Sequence, residues 1–400
     1  MQFNDIVGQD AVKQRLVQLA QMNRISHALL FLGREGSGAL PLAMAFAQYI
    51  VCEKNSPFAR SVPAAPSLFG EPETPAPLQN ATDSCGTCPA CVKCARQAHP
   101  DVHFSFPTVV RKSTEKALST NFGTEWREFI DQNAYGNVYD WLQYIEAENR
   151  QGNISTHECE DIVRKLSLKS FESPFKILIM WMPEYLTKNG NRLLKLIEEP
   201  PANTLFLLVA ENDALILPTI LSRTQLVKVP PIEETDLISA LETNKNQPHE
   251  RALQIAGICE GNYREALQLA ASTDENWQPV LREWLNLIVM HKVAAQIKWV
   301  DEMAKTGREK QKQFLRYFTH LLELSLRIEN GVPAKALPDE LDFAARINKL
   351  CGFYQQEAII GELGRADYHI ERNANAKMLF QALTVKLHHI IRNNSLILVH

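Results

Sequence analysis

LLKLIEEPPANTLFLLVAENDALILPTILSRTQ, residues 193–225, is the stretch from which the fold can be read. Leu193, Leu194, Leu196 and Ile197 fall on one face of a helix, and Pro200-Pro201 must end it, because proline donates no backbone hydrogen bond. Thr204–Ala210 follows as an unbroken apolar run, short and partly β-branched. Such a run suits a strand covered on both faces, as in a parallel sheet flanked by helices. Pro218 can open a further short helix, which delivers Ser222 and Arg223 at its end.

Towards the amino terminus the same pattern begins. Val7 to Asn23 has helical apolar spacing, and Ile25 to Leu32 is a compact apolar run that ends at Gly33. A strand entering a glycine loop is the frame of a phosphate site, and Gly33 to Gly38 keeps the G-x-x-x-x-G spacing of a P-loop. Ala39 and Leu40, however, stand where that loop needs Lys and Ser or Thr. Without the ammonium the β and γ phosphates lose their main charge partner, and without the hydroxyl Mg²⁺ loses its protein ligand. Backbone amides at the following helix start could still hold an anion weakly. The plain alternative is an ordinary Gly-rich turn. Lys176 to Met182 is a further buried strand, followed by Pro183-Glu184.

The succession LLKLIEEPP, TLFLLVAEN, LPTILSRTQ resembles the clamp-loader branch of the AAA+ ATPases, in which LLKxLEEPP and SRC are signatures; here Thr224 replaces the cysteine. That resemblance favours a degenerate P-loop over a plain turn. It also implies that Trp181 and Met182 occupy the positions of the Mg²⁺-coordinating Asp and the water-polarising Glu. Glu184 comes two residues too late, and a surface or cap role suits it better. Two losses on one nucleotide site imply that this chain does not hydrolyse ATP.

Four of the eight cysteines lie in CGTCPACVKC, with Cys85, Cys88, Cys91 and Cys94 at C-x-x-C spacing. Knuckles of this kind set thiolates at the separation that tetrahedral Zn²⁺ requires. Local spacing alone nominates those four, although ligands drawn only from adjacent knuckles are crowded. The family pattern uses one distant cysteine after the P-loop helix, then C-G-x-C-x-x-C, then H-P-D. The resemblance therefore implies a closed, structural zinc site of Cys52, Cys85, Cys88 and Cys91, with Cys94 spare and His99 of the His99-Pro100-Asp101 turn a local hydrogen-bonding residue. Cys159, Cys259 and Cys351 are isolated and read as small buried hydrophobes.

Two insertions interrupt the module. Between Cys52 and Cys85, six prolines from Pro57 to Pro77 mark a flexible surface segment. From Pro107 to Asn153 an aromatic-rich stretch with Trp126, Tyr135, Tyr139, Trp141 and Tyr144 has no family counterpart, and docking on the parent domain explains its aromatics better than partner binding. After Pro230-Pro231, Glu234 to Asp236 suit a helix start. Ala256 to Ala266 resembles the family's lid entry and places Arg264 at the second sensor arginine, for which a helix-surface ion pair is the better reading. From Trp277 onward apolar residues recur at three and four, as in a helical bundle. The expected architecture is thus an α/β AAA+ module (1–229) with a zinc-binding insertion, a small helical lid (230–275) and an all-α collar domain (276–400).

The net charge of −4, from 42 basic and 46 acidic residues, sets no global field towards nucleic acid or membrane. Neither a signal segment nor an apolar run of about 18 residues is present, so the expectation is a soluble cytoplasmic protein. The resemblance, strongest over the first 270 residues, is to the non-hydrolysing subunits of the bacterial DNA polymerase III clamp loader. It implies a heteropentamer with gamma/tau ATPase subunits and a clamp-opening delta subunit, acting on the sliding clamp and primed DNA. It also implies that Arg223 reaches the neighbour's ATP as an arginine finger; capping of the helix after Pro218 is the plainer role. Two other readings stay open: an ATPase motor of the same family, which would bind ATP, and a zinc-dependent nucleic-acid-binding module with an inert AAA+ fold, which would bind DNA alone with steep salt dependence.

Overall fold

The computed structural model describes residues 1–59, 81–111, 116–147, 150–271, 277–332, 336–371 and 374–393. The proline-rich part of the first insertion, residues 60–80, lies outside them. Two compact units emerge, one of Met1–Leu237 with Gly261–Glu265, the other of Ile238–Glu260 with Ala266–His400.

The first unit is built on five parallel strands: β1 (Ala28–Leu32), β2 (Val102–Ser105), β3 (Lys176–Trp181), β4 (Thr204–Ala210) and β5 (Gln225–Lys228). Their order across the sheet is β2-β3-β4-β1-β5. Every residue of β3 and β4 is buried, which is why the sequence shows unbroken apolar runs there instead of alternation. The period-2 pleat divides these side chains cleanly. Phe31, Ile179, Leu207 and Val209 enter one layer with α2 (Ala39–Val51), while Leu30, Met180, Phe206 and Leu208 enter the other with α6 (Thr156–Ser167) and α7 (Asn191–Glu198). Each fully buried Leu, Ile or Phe contributes about 1.5–3 kcal/mol, so these two layers dominate the unit's stability.

α1 (Asp10–Gln21) precedes β1, and the Gly-rich loop joins β1 to α2. α7 ends at Glu198, ahead of Pro200, and the short α8 (Pro218–Leu221) starts on its proline as expected. β2 is a strand that the local sequence did not announce. V-H-F-S is short and only half apolar, and its pairing with β3 is what makes it a strand.

The second insertion folds on the first unit. α4 (Gly123–Asn133) and α5 (Val138–Tyr144) bury Trp126, Phe129, Ile130 and Trp141 in the α2-side layer. Trp126 stacks on Phe106 with centroids 4.0 Å apart and meets Trp181 at 5.3 Å. These aromatics dock on the parent domain, as their composition suggested.

In the second unit α10 (His249–Cys259) and α12 (Trp277–Val289) to α17 (Ala376–Asn393) are all helical. Trp284 and Trp299 stack at 4.8 Å, Phe314 and Phe380 close around them, and Trp284 Nε1 donates to Thr384 Oγ1 at 3.0 Å. Among the described residues no helix is long and apolar enough to cross a membrane.

Candidate functional site

In a parallel sheet the loops at the carboxyl ends of the strands line the ligand crevice. Here Gly33 follows β1, Met182 follows β3 and Glu211 follows β4, and all three line one cleft with Gly36–Pro41. Gly33 N donates to Ala210 O at 3.1 Å and Met182 N to Val209 O at 2.8 Å, fixing the three strand ends together. Gly38 sits at φ +88°, a left-handed conformation that a side chain would strain. Ala39 and Leu40 then open α2, both buried, presenting neither an ammonium nor a hydroxyl.

Trp181 and Met182 are likewise buried, and Met182 takes φ 59°. Glu184 turns away from the cleft's centre. Its Oε1 accepts from Glu211 N at 2.7 Å and Asn212 N at 3.0 Å, so it caps the loop after β4, the role its sequence position suggested. Burial raises its carboxyl pKa despite those amides.

The other wall of the cleft comes from the insertion: Ala134, Tyr135 and Gly136. Tyr135 lies over Gly38, where an added Cβ would come within 3.1 Å of its ring, and its hydroxyl accepts from Val7 N at 3.0 Å. Arg264, expected in a surface ion pair, is instead buried, with a side chain only 6% exposed. Its Nε and Nη2 donate to the two Asp140 carboxylate oxygens at 2.5 and 2.6 Å, and Nη1 donates to Glu35 Oε1 at 2.9 Å. Asn137 Nδ2 adds a hydrogen bond to Glu35 Oε2 at 3.0 Å. The surface expectation failed because α5 of the insertion covers this corner, and the insertion's docking position is invisible in local sequence. Tyr135, Asn137, Asp140 and Glu35 were missed for the same reason.

The second candidate centre gathers Cys52, at the end of α2, with Cys85, Cys88 and Cys91 around the start of α3 (Pro89–Ala95). Their four Sγ atoms all lie within 4.8 Å of one another, and Cys85 Sγ is 3.9 Å from Cys91 Sγ. Sulfurs bound tetrahedrally at about 2.3 Å are about 3.8 Å apart, so the group fits a four-thiolate metal ion. Backbone amides reinforce it: Asn55 N and Cys85 N donate to Cys52 Sγ at 3.3 and 3.4 Å, Cys88 N to Cys85 Sγ at 3.3 Å, and Cys91 N to Cys88 Sγ at 3.4 Å. A hydrogen bond from Cys91 and these amides hold the Cys52 thiol well below its usual pKa, while Cys91, which keeps the shared proton, is raised. Gly86 makes the knuckle possible at φ +68°, where a Cβ would press on Gln2 at 2.8 Å.

Cys94 stands outside this group, and burial pushes its thiol up to about 12. His99 Nδ1 accepts from Asp101 N at 3.2 Å and its Nε2 faces Glu172 at 3.3 Å. Asp101 in turn accepts from Phe171, Glu172 and Ser173 amides at 2.6 to 2.8 Å. The His99-Pro100-Asp101 turn thus ties the start of β2 to the loop before β3.

Arg223 lies between α8 and β5, at the amino-terminal edge of the sheet and opposite the cleft, about a third exposed. Its Nη1 donates to Thr219 O at 2.8 Å and Ser222 Oγ at 3.1 Å, and Nη2 pairs with Glu198 of α7.

Sheet order, two-sided helix cover and a Gly-rich loop at the carboxyl ends define an AAA+ module carrying a four-cysteine insertion. The family described as "DNA polymerase III, delta subunit" matches residues 8–62 and 76–233, more than half of the chain, and the chain belongs to that family. The DNA polymerase III subunit delta' of Escherichia coli (strain K12) is 21% identical over 382 residues, covering 95% of this chain and 94% of that protein. Subunit delta' of Bacillus subtilis (strain 168) is 23% identical over 267 residues, covering 66% of this chain and 60% of the relative. Subunit tau of Escherichia coli (strain K12) is 26% identical over 273 residues, covering 67% of this chain and 32% of tau. The chain therefore spans less than two thirds of the Bacillus delta' and about a third of tau.

Proposed function

We propose that this chain is a delta-prime-type subunit of a clamp loader. It does not hydrolyse ATP and supplies Arg223 in trans to the ATP held by a neighbouring subunit of the gamma/tau kind. Delta, the sliding clamp and primed DNA are its other partners in the same assembly. The near end-to-end match to a delta' protein agrees with this, since tau is matched over only 32% of its length.

The observation that carries the reading is a contrast within one unit. The cleft holds Ala39, Leu40, Trp181 and Met182 where phosphate and Mg²⁺ ligands would be required, yet Arg223 stands at the opposite edge of the sheet, before β5, and is about a third exposed. An arginine finger stabilises charge on the transferring phosphoryl group, and its planar fork suits two phosphate oxygens at once. Leaving Glu198 costs little, because an exposed ion pair of this kind is worth about 0–1 kcal/mol. Arg223 can therefore cap α8 in the free chain and extend when a neighbour presents a phosphate.

We assign the four cysteines to a structural Zn²⁺, which when bound would cross-link α2 to the α3 knuckle. The division into AAA+ module (1–229), lid (230–275) and collar (276–400) belongs to the same reading, with the collar joining the subunits.

The test is ATP turnover by the reconstituted complex, stimulated by clamp and primed DNA, with Arg223→Ala in this chain. The site it serves should slow about 10³-fold or more, total turnover should fall by that site's share, and Arg223→Lys should not rescue it. Full turnover with assembly intact would reduce Arg223 to the capping residue it is in the free chain. A second reading, an ATPase motor, draws on the 26% identity to tau. It requires Mg²⁺-dependent ATP binding by the lone chain, which Ala39 and Leu40 oppose.

A further inference from the structure

Three sets of contacts tie the insertion to the cleft and its surroundings. Trp126 and Phe129 close over Trp181, the residue ending β3, with centroids at 5.3 and 6.3 Å. Tyr135 covers Gly38 and packs edge-on against Tyr263 at 4.8 Å. Asp140 reaches past the loop to Arg264, which Glu35 of the Gly-rich loop meets from the other side. What is left of the cleft is about 30 Å³, room for about two or three water molecules.

Charge explains the arrangement. A buried guanidinium is tolerated only when anions satisfy it, since an unpaired buried charge costs several kcal/mol. In an ATP-binding module a phosphate could serve. In this chain two carboxylates do so, one offering a bidentate face, and both are present in every folded molecule without any ligand.

We propose that residues 119–145 are a built-in occupant of the cleft at the carboxyl ends of β1, β3 and β4, in which Asp140 and Glu35 meet Arg264 in the place of nucleotide phosphates, Tyr135 stands over Gly38, and Trp126 and Phe129 back the wall from the core side of Trp181. The inference rests on reading Gly33 to Leu40 as a P-loop stripped of its chemistry. It goes beyond that reading: the site is not merely weakened but filled, and the insertion holds the loop and residues 261–265 in one conformation that nucleotide neither creates nor alters. Free nucleotide would have to displace a tethered anion and an aromatic plug together.

The experiment uses the lone full-length chain and Mg²⁺-ATP or Mg²⁺-ADP as probe. Millimolar nucleotide should change neither the melting temperature nor amide hydrogen exchange at residues 33–38 and 261–265. Asp140→Ala should speed exchange in both segments at least about tenfold, a change that Asp140→Glu largely reverses and nucleotide does not. Should Asp140→Ala fail to fold, Asn137→Asp, which removes the Nδ2 donor to Glu35 and keeps Oδ1 as the acceptor that caps α5, should speed exchange at 33–38 by a smaller factor. Protection of 33–38 by nucleotide in the unaltered chain would overturn the proposal, and so would unchanged exchange in the folded variants. Nucleotide binding without turnover would sink this inference alone, whereas ATP hydrolysis by the lone chain would sink the proposed function.

Discussion

Cys52 closes the four-sulfur group from a helix that carries no other cysteine, so the donor set turns on it. It leaves α2 with an extended backbone, φ −62° and ψ 126°, which swings Sγ towards the knuckle and lets two amides point at it. Cys52→Ser should therefore lower metal affinity about 100-fold or more, while Cys94→Ser should keep one metal per chain; elemental analysis after dialysis distinguishes the two. Equal loss in both would return Cys94 to the donor set. C-x-x-C spacing alone nominated Cys85, Cys88, Cys91 and Cys94, and the choice of Cys52 came from the family pattern. The reason is physical: four adjacent cysteines specify a knuckle, but the fourth ligand is set by where α2 ends relative to it.

At the scale of elements, the insertion decides the most. α4 and α5 are short and would be marginal alone, since isolated helices under about 12–15 residues barely form in water. They persist because Trp126 and Trp141 are buried against Phe106 and Trp181. Trp126→Ala should cost about 3–5 kcal/mol, read as a lowered urea midpoint of the full chain. A loss below about 1 kcal/mol would mean that the insertion is not part of the first unit's core. The continuous strands β3 and β4, the stop at Pro200 and the start at Pro218 were legible because proline and unbroken apolar runs act locally. β2 was not legible, because its pairing partner β3 lies more than 70 residues on. Arg264 was placed on the surface for a similar reason: its partners Asp140 and Glu35 are 124 and 229 residues away in sequence.

For the molecule as a whole, a net charge of −4 leaves no general attraction for nucleic acid. The lone chain should bind primed DNA no more tightly than about 10⁻⁵ M at physiological salt, with a shallow salt slope in a fluorescence-anisotropy titration. Tight binding with a steep slope would instead favour a nucleic-acid-binding module acting alone. Composition and motif order were enough to place the chain among parallel α/β modules with a helical partner unit, because periodicity, proline and glycine constrain the backbone wherever they occur. They were also enough to expose what the cleft lacks, since Ala39, Leu40, Trp181 and Met182 cannot supply charge to a phosphate or a metal ion. Only the tertiary structure decided what fills that cleft. The ion pairs of Arg264 and the cover by Tyr135 depend on where a segment inserted after β2 comes to rest, and burial and charge pairing between distant segments are properties of the packed chain.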